Sequence, residues 1–146
     1  AAVGTAMAAS ILAGGAVMAE EAGLNAMQPT PEQLQQYLQL PSGPVVMVNL
    51  LKFKPDGGQA EYRKYAEAIR PILAKIGAEI LFSGSCKMAL LGGATWDAVG
   101  LVRYPDKTAL VNMAQSPEYQ AIHHYRDAGL EGQINLAVFE DMAGFE

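Results

Sequence analysis

The chain has 146 residues, of which 51% are hydrophobic and 17% are charged. This size and composition suit one globular domain and exclude a disordered or fibrous chain. Acidic residues outnumber basic ones by 15 to 10, so there is no surplus of cations to neutralise phosphates and no nucleic-acid partner is expected. Cys86 is the single cysteine, which excludes an intrachain disulfide and a thiolate zinc cluster. We expect its thiol to be inert and partly buried.

The first 22 residues form an apolar segment in which no charge occurs before Glu20. One interpretation is the remnant of a secretory signal peptide, because Val17 and Ala19 place small residues where signal peptidase requires them. The other is a retained helix, since residues 1–19 at about 1.5 Å each would span roughly 28 Å, close to the hydrocarbon thickness of a bilayer. Both predict an exported (periplasmic) or membrane-associated protein rather than a cytoplasmic one. A retained segment 1–19 would attach a non-enzymatic accessory or scaffold subunit to a membrane or to a membrane-protein partner.

The rest of the chain divides into a linker with a short helix, residues 23–44, and a folded domain, residues 45–146. Thr30 is well placed as the N-cap of the short helix and Pro31 as its first residue. Proline and glycine residues after Leu40 predict where that helix ends.

Hydrophobic periodicity and turn residues in the folded domain predict alternating strands and helices. In chain order these are a strand at 45–53, a helix at 59–76, strands at 78–90 and 95–104, helical stretches ending near 115 and spanning 117–128, and a strand at 133–141. The second and third strands form a hairpin around Gly92 and Gly93, and Pro71 is expected to kink the first of the domain's helices. The order β-α-β-β-α-β predicts a ferredoxin-like α+β sandwich.

The strand at 45–53 is apolar on both faces. Helices cover only one face of the sheet in a ferredoxin-like fold. The other face must also be buried, and a second copy of the same chain offers a matching apolar surface. The pattern therefore predicts a homodimer.

Motifs in this order resemble a bacterial family of unknown function in the dimeric α/β-barrel superfamily. They are an Asn-Leu-Leu-Lys/Arg-Phe signature at Asn49–Phe53, the pair Tyr62 and Tyr65, and the runs Trp96–Val99, Tyr104–Pro105 and Ser116–Tyr119. The resemblance covers about residues 28–141 and does not include the apolar N-terminal segment. It implies a protomer that pairs into a barrel with interior cavities. In related families such cavities bind small molecules and sometimes host cofactor-independent oxygenases, isomerases or haem enzymes, so the resemblance implies no single reaction.

Asn49 is a polar residue in the middle of an apolar strand. A buried amide must satisfy several hydrogen-bonding positions. Asn49 therefore either orients the carbonyl group of a ligand or ties its strand to a helix or to the dimer mate.

Three polar or aromatic side chains share one face of the last predicted helix, because Tyr119, His123 and Arg126 follow at i, i+4 and i+7. That face should point toward the sheet. There His123 could act as a general base or metal ligand and Arg126 could bind a carboxylate. The alternative is structural, with Arg126 paired to an acid such as Asp97 or Glu118 and His123 capping a hydrogen bond.

Two further aromatic residues complete the candidate ligand-binding set. Trp96 begins the third strand and faces the small residues Ala98 and Gly100, so its ring either forms a pocket wall or fills the space beside them. Tyr65 fits the core with its hydroxyl at the edge. The full candidate set is Asn49, Tyr65, Trp96, Tyr119, His123 and Arg126, of which His123, Arg126 and Asn49 are the candidates for catalysis.

No motif points to a metal or a cofactor. The two histidines, His123 and His124, are adjacent and so lie on different faces of a helix, which disfavours a two-histidine metal site. A phosphate-binding glycine loop, a nucleophile elbow and a dinucleotide fingerprint are all missing from the sequence. The sequence thus predicts a dimeric barrel domain that binds a small, largely apolar molecule. Whether it is an enzyme stays open, and any catalysis would be of the acid/base type without a cofactor.

Overall fold

The computed structural model describes residues 27–145, in which four strands form one antiparallel sheet in the order β2-β3-β1-β4. The elements are α1 (Pro31–Leu38), β1 (Val45–Phe53), α2 (Gly58–Lys75), β2 (Glu79–Ser85), β3 (Ala98–Tyr104), α3 (Lys107–Gln115), α4 (Pro117–Gln120), α5 (His123–Gly129) and β4 (Leu130–Val138). The helices pack on one face of the sheet. This is the ferredoxin-like α+β fold that the sequence predicts.

The apolar segment 1–22 lies outside the described residues, and both interpretations of it stay predictions. Residues 27–145 contain no helix with the length and hydropathy that crossing a membrane requires.

β1 is a central strand, with the bounds that the sequence predicts. It pairs with β3 and β4 on its two sides, so that Met47 lies opposite Val102 and Ala137. Side chains alternate between the two faces of a strand, and Val45 and Met47 point toward the helices, where they are 1% and 7% exposed. The strand therefore anchors the core between sheet and helices.

That core is built from one stripe of α2 against the helix-facing side of the sheet. It comprises Val45, Met47, Tyr65, Ile69, Leu73, Tyr104 and Met113. Tyr65, Ile69 and Leu73 recur every four residues, which places them on one side of α2. The helix continues through Pro71.

α2 and α5 touch where two glycines meet. A Cβ atom on Gly58 would lie 2.6 Å from the backbone oxygen of Gly129, and one on Gly129 would lie 2.7 Å from the backbone oxygen of Gly58. Any other residue would force the helices apart. This close approach holds Tyr62 of α2 against α5, since a Cβ on Gly129 would lie only 2.9 Å from the Tyr62 Cβ.

The sheet face opposite the helices, here called the open face, is apolar and has no layer over it within residues 27–145. Register places on it Val48, Leu50, Phe82, Val99, Leu101, Ile134, Leu136 and Val138. Phe82 is 56% exposed and Leu136 is 51% exposed. At one end of this face the Arg103 guanidinium bridges Glu79 and Glu140, with its Nε 2.8 Å from the Glu140 carboxylate.

The linker helix α1 packs on the domain. A capping box begins this helix. The Gln33 backbone amide donates to the Thr30 hydroxyl oxygen at 3.1 Å, and the Thr30 backbone amide donates to the Gln33 side-chain oxygen at 2.9 Å. The Tyr37 hydroxyl donates to the Lys107 backbone oxygen at 3.0 Å. Residues 31–38 are therefore fixed against the start of α3.

The prediction of one helix at 117–128 is wrong, because the structure has two helices there, α4 and α5. The Ser116 hydroxyl accepts from the Tyr119 amide at 3.2 Å and caps a single helical turn. Ile122 then adopts φ −117° and ψ −11° as the N-cap residue of α5. The shared helical face assumed for Tyr119, His123 and Arg126 does not exist as predicted.

The strands predicted at 78–90, 95–104 and 133–141 have different bounds in the structure. β2 ends at Ser85 and β3 begins at Ala98, although the two pair as the predicted hairpin. The connection is tied down at its two ends, where the Cys86 amide donates to the Asp97 oxygen at 2.9 Å and the Asp97 amide donates to the Leu51 oxygen at 2.8 Å. In its middle, Leu90 and Leu91 are 84% and 90% exposed. β4 starts at Leu130, directly after Gly129 ends α5.

Candidate functional site

Four tyrosines gather between the sheet and the helices. Tyr62 and Tyr65 come from α2, Tyr104 from the end of β3, and Tyr119 from α4. The Tyr65 and Tyr119 hydroxyl oxygens are 3.0 Å apart and share a hydrogen bond. The Tyr62 and Tyr65 ring centres are 5.3 Å apart, and the Tyr119 ring meets the Tyr65 ring edge-on at 6.1 Å. We call these four residues the tyrosine cluster.

Burial raises the pKa of three tyrosines in this cluster above the ordinary value. It raises the pKa of Tyr62 to about 12, and it raises the pKa of Tyr65 and Tyr104 as well, with the neighbouring tyrosines adding to the effect. The Arg126 guanidinium acts in the opposite direction on the pKa values of Tyr62 and Tyr65. At neutral pH these three hydroxyls are therefore hydrogen-bond donors.

The described residues contain one hydrogen bond among the hydroxyls of the cluster. Tyr65 and Tyr119 have two hydroxyl protons, and their mutual hydrogen bond uses one of them. Tyr104 is 5% exposed, and its hydroxyl has no hydrogen-bond partner within residues 27–145. The Tyr62 hydroxyl has none in the same part of the chain. Within residues 27–145 the Tyr62 and Tyr104 hydroxyls thus make no hydrogen bond.

Arg126 borders the cluster and is held in place by the sheet. Its Nε donates to the Gln133 side-chain oxygen at 2.7 Å, and a terminal nitrogen donates to the Met27 backbone oxygen at 3.0 Å. The Gln133 amide nitrogen in turn donates to the Asn135 side-chain oxygen at 2.5 Å. Gln133 is 6% exposed and is the buried polar residue of the described chain. An ordered row of amides therefore leads from Arg126 along β4.

Asn49 lies beside this row, since it is the cross-strand partner of Asn135 on one side and of Gly100 on the other. Its amide nitrogen donates to the backbone oxygens of Met47 and Gly100, each at 3.2 Å. A Cβ atom on Gly100 would meet nothing within 4 Å, so there is open space next to the Asn49 side chain. The amide nitrogen ties β1 to β3, and not to a helix as the structural alternative for Asn49 expected.

His123 forms a pair with an aspartate on the rim of the cluster. Its Nδ1 lies 3.1 Å from an Asp127 carboxylate oxygen, and its ring stacks on Tyr119 with centres 6.4 Å apart. The His123 side chain is 41% exposed. A carboxylate at Nδ1 favours the tautomer whose Nε2 is free to accept a proton.

The structure brings together most of the predicted site residues and leaves out one. Tyr65, Tyr119 and His123 are in direct contact, while Arg126 connects to the strand pair of Asn49 through Gln133 and Asn135. Trp96 is half-buried in the connection before β3 and takes no part in these contacts.

The acids named as examples for the structural alternative, Asp97 and Glu118, are not the partners of Arg126. The Asp97 carboxylate instead accepts from the Phe53 backbone amide at 2.7 Å, and Glu118 pairs with Lys75 at 2.6 Å. Arg126 has Asp127 as its carboxylate neighbour, at 3.5 Å.

Sequence reasoning missed Gln133 and Asn135 as parts of the site. Both lie on the same face of β4 as Ala137, which is the face toward the helices. Two amides in succession on the inward side of a strand are a signal that alternation analysis can detect. Tyr104 gave no such signal, because a tyrosine at the end of a strand fits the core equally well.

Open grooves elsewhere on the molecule do not contain the predicted site residues. A groove of about 520 Å³ lies at the start of α2, between Lys54, Arg63 and Asp97. A second, of about 480 Å³, follows the end of β4 toward Phe145. Neither reaches the tyrosine cluster. Residues 27–145 hold no group of three or more His, Cys, Asp or Glu side chains that could bind a metal ion.

The fold and the matched sequence together define the class of this protein. Residues 57–141 match the family described as "Domain of unknown function (DUF1330)". The chain belongs to this family. The match begins after the Asn49–Phe53 signature, so it does not bear on that motif.

Solved structures with the same fold align with this chain over nearly their own full length. A protein of unknown function from Rhodopseudomonas palustris is 25% identical with a TM-score of 0.73, covering 78% of this chain and 95% of that one. A dimeric ferredoxin-like protein of unknown function from Jannaschia sp. CCS1 is 14% identical with a TM-score of 0.54, covering 66% and 99%. A dabb family protein from Mesorhizobium loti is 13% identical with a TM-score of 0.51, covering 66% and 96%. No curated protein matches the chain.

Proposed function

We propose that this chain forms a homodimer and binds a small organic molecule at the tyrosine cluster. The observation that carries the proposal is the buried Tyr104 hydroxyl, which has no partner among the described residues although its side chain is 5% exposed. A buried polar group without a hydrogen bond costs about 1–3 kcal/mol. Keeping such a group in a core is consistent with an acceptor that comes from outside the chain.

A ligand would reach this site from its exposed edge. Tyr62 and Tyr119 are only half-buried, and His123 beside them is 41% exposed. Asn49 and Arg126 complete the proposed binding surface on the sheet side, where Gly100 leaves room. Trp96 stays a candidate for a wall of the site.

The homodimer is proposed to form through the open face, with two sheets facing each other as in a dimeric α/β barrel. Support comes from the contiguous apolar side chains on that face and from the Jannaschia relative, which is described as dimeric. The expected mass in solution is that of two chains.

A charge on the open face should break this dimer. In Leu136→Glu, at a residue 51% exposed on β4, we expect a monomer by size exclusion with light scattering, because burying an unpaired carboxylate is costly. Leu38→Glu, at a similarly exposed leucine of α1 (43%), is the matched control and should stay dimeric. A wild-type monomer would contradict the dimer.

Any reaction at this site is proposed to be a proton transfer without a cofactor. His123, oriented by Asp127, is the general base, and the tyrosine hydroxyls stabilise the oxygen on which negative charge develops. The Asn49 amide would then lie at the edge of the same site.

A thermal-shift screen with small fragments tests the binding site. Ligand at about 100 times its Kd adds roughly 2.7 kcal/mol to the free energy of unfolding, which raises Tm by several degrees. We expect stabilising fragments with the wild type and their loss in Tyr104→Phe, Arg126→Ala and Asn49→Ala. The control is Tyr125→Phe, whose ring contacts His124 and Lys64 outside the cluster. A screen in which no fragment stabilises the wild type would contradict the proposal.

A further inference from the structure

We infer that the connection between β2 and β3 reaches across the homodimer and packs in the groove at the end of β4 of the second copy. This inference rests on the proposed homodimer and names the contacts that hold its two chains together. We call residues 86–97 the arm. The groove of about 480 Å³ between Val138 and Phe145 is called the end groove.

The arm exposes apolar side chains in one short stretch. Met88 is 72% exposed, Leu90 84% and Leu91 90%. Single exposed apolar residues are ordinary on a protein surface, whereas a contiguous apolar patch marks an interaction site. The two ends of the arm are hydrogen-bonded to the sheet, at Cys86 and Asp97. The middle of the arm is therefore the part that is free to pack against another molecule.

The arm lies on the open-face side of the sheet where it returns to β3. Lys52 follows Leu50 by two residues in β1, so its side chain points to the open face. The Lys52 Nζ donates to the backbone oxygen of Thr95 at 3.3 Å and to its hydroxyl oxygen at 3.4 Å. Thr95 belongs to the arm. This part of the arm thus borders the face that the second copy covers in the proposed dimer.

The end groove is apolar and lies at the opposite corner of the sheet. The arm joins β2 and β3 at the end of the sheet where β1 finishes, whereas Val138 pairs with Val46 near the start of β1. β2 and β4 are the two edge strands. Val138 lies on the open face, and the groove continues to Met142 and Phe145, which are 63% and 88% exposed.

A two-fold axis can seat both arms at once. In a symmetric dimer, a surface that contacts a different surface on the second copy makes that contact twice. An axis between the two facing sheets, perpendicular to the line from arm to end groove, places each arm on the end groove of the other copy. Because the arm and the groove are at opposite corners, this axis passes through the middle of the open face. One arrangement therefore satisfies the sheet contact and both arm contacts.

The charges of the two surfaces are complementary. Lys87, next to Met88 on the arm, makes no ion pair within residues 27–145. Asp141 lines the end groove, where its carboxylate accepts from the Ala143 backbone amide at 3.2 Å. Each arm thus brings one cation among its apolar side chains to a groove that holds one anion among its own.

The size of the open face also calls for further contacts. An interface this apolar is typical of permanent homodimers, which bury about 1,000 Å² or more on each partner. Four strands of seven to nine residues cover a face roughly 19 Å wide and about 26 Å long, or about 500 Å² in plan. An interface of the permanent kind must therefore extend beyond the sheet, and the arm is exposed apolar surface at its border.

Cross-linking tests where the arm lies. In a Cys86→Ser background, Leu91→Cys on the arm is combined with Ala143→Cys in the end groove, and the protein is treated with a short bismaleimide. We expect a covalent dimer from the double variant and none from either single variant. A link within one chain is too long, because the strands between the two corners span about 23 Å or more. A covalent dimer from Leu91→Cys alone would place the two arms together and overturn the inference.

Dilution of the dimer in the analytical ultracentrifuge measures what the arm contributes. Leu90→Ser combined with Leu91→Ser should raise the dissociation constant about a hundredfold or more, since each leucine side chain buried in the interface contributes about tenfold. The matched control combines Leu34→Ser with Leu38→Ser. These leucines of α1 are 41% and 43% exposed, and the dissociation constant should not change.

A charge exchange tests the pairing of arm and groove. Asp141→Lys should raise the dissociation constant several-fold, as expected for a partly exposed ion pair. Adding Lys87→Asp to the same chain should restore it. The hydrogen bond to the Ala143 amide is lost in both variants, so recovery reports the pairing with Lys87. Failure of the second change to restore the dimer would overturn this contact.

The outcomes separate the arm contact from the homodimer itself. An unchanged dissociation constant in the arm variant, with Leu136→Glu still monomeric, would overturn the arm contact and leave the open-face dimer standing. The arm contact would also be wrong if the wild type but not the arm variant bound vesicles of phosphatidylcholine and phosphatidylglycerol while both dimerised equally. A wild type that is monomeric at every concentration would overturn the homodimer and the arm contact together.

Discussion

Replacing Tyr104 by phenylalanine distinguishes a hydroxyl kept for a ligand from one kept for the fold. The Tyr104 ring packs in the core with Val45 and Met47, and the substitution leaves that ring in place. The hydroxyl that it removes has no partner within residues 27–145, while the same hydroxyl is hydrated in the unfolded chain. The free energy of unfolding of the ligand-free protein should therefore stay unchanged or rise by up to about 1 kcal/mol.

Tyr65→Phe is the matched comparison, because it removes a hydroxyl that is hydrogen-bonded. It leaves Tyr119 without its partner at 3.0 Å, and the free energy of unfolding should fall by about 1–2 kcal/mol. Urea unfolding followed by circular dichroism measures both variants, with the midpoint shift read at constant slope. A loss of more than about 1 kcal/mol in ligand-free Tyr104→Phe would refute the reasoning, because the hydroxyl would then hold a structural hydrogen bond.

Three further predictions follow from the packing and the site. The raised pKa of Tyr62, about 12, means that the folded state holds protons that the unfolded state has lost above pH ~10. Stability should thus be constant up to that pH and fall between pH ~10 and 12, as alkaline urea melts would show. Gly58→Ala should lower the free energy of unfolding by about 1–3 kcal/mol, because its Cβ would lie 2.6 Å from the Gly129 oxygen. His123→Gln should slow deuterium exchange of a small enolisable ketone to the buffer rate, measured by NMR. Equal exchange rates with the wild type would contradict the general base.

The fold could be predicted from the sequence because its signals are local. β1 has an apolar run, interrupted by Asn49 and Lys52, between Gly-Pro and a Pro-Asp-Gly turn, and α1 has Thr30 and Pro31 at its start, so their positions follow from turn and cap chemistry. The break at Ile122 could not be predicted in this way. A helix continues or stops there according to how Tyr119 packs on Tyr65 of α2, a contact between residues 54 positions apart.

The candidate site was predicted in part. Polar residues in apolar surroundings, such as Asn49 and Arg126, stand out from the sequence alone. Tyr104 does not, since only the register between β1 and β3 places it opposite Val45 and inside the cluster. The same holds for Gln133, because its contact with Arg126 depends on how α5 crosses β4.

The ligand site itself is tested most directly by NMR of the protein with its tyrosine rings labelled. The chain has six tyrosines, four in the cluster and two, Tyr37 and Tyr125, outside it. The account predicts that a fragment that stabilises the protein in the thermal-shift screen shifts the ring signals of Tyr62, Tyr104 and Tyr119 in one saturable event, while those of Tyr37 and Tyr125 stay in place. Saturable shifts confined to Tyr37 or Tyr125, or no shift at any tyrosine, would contradict a binding site between the sheet and the helices.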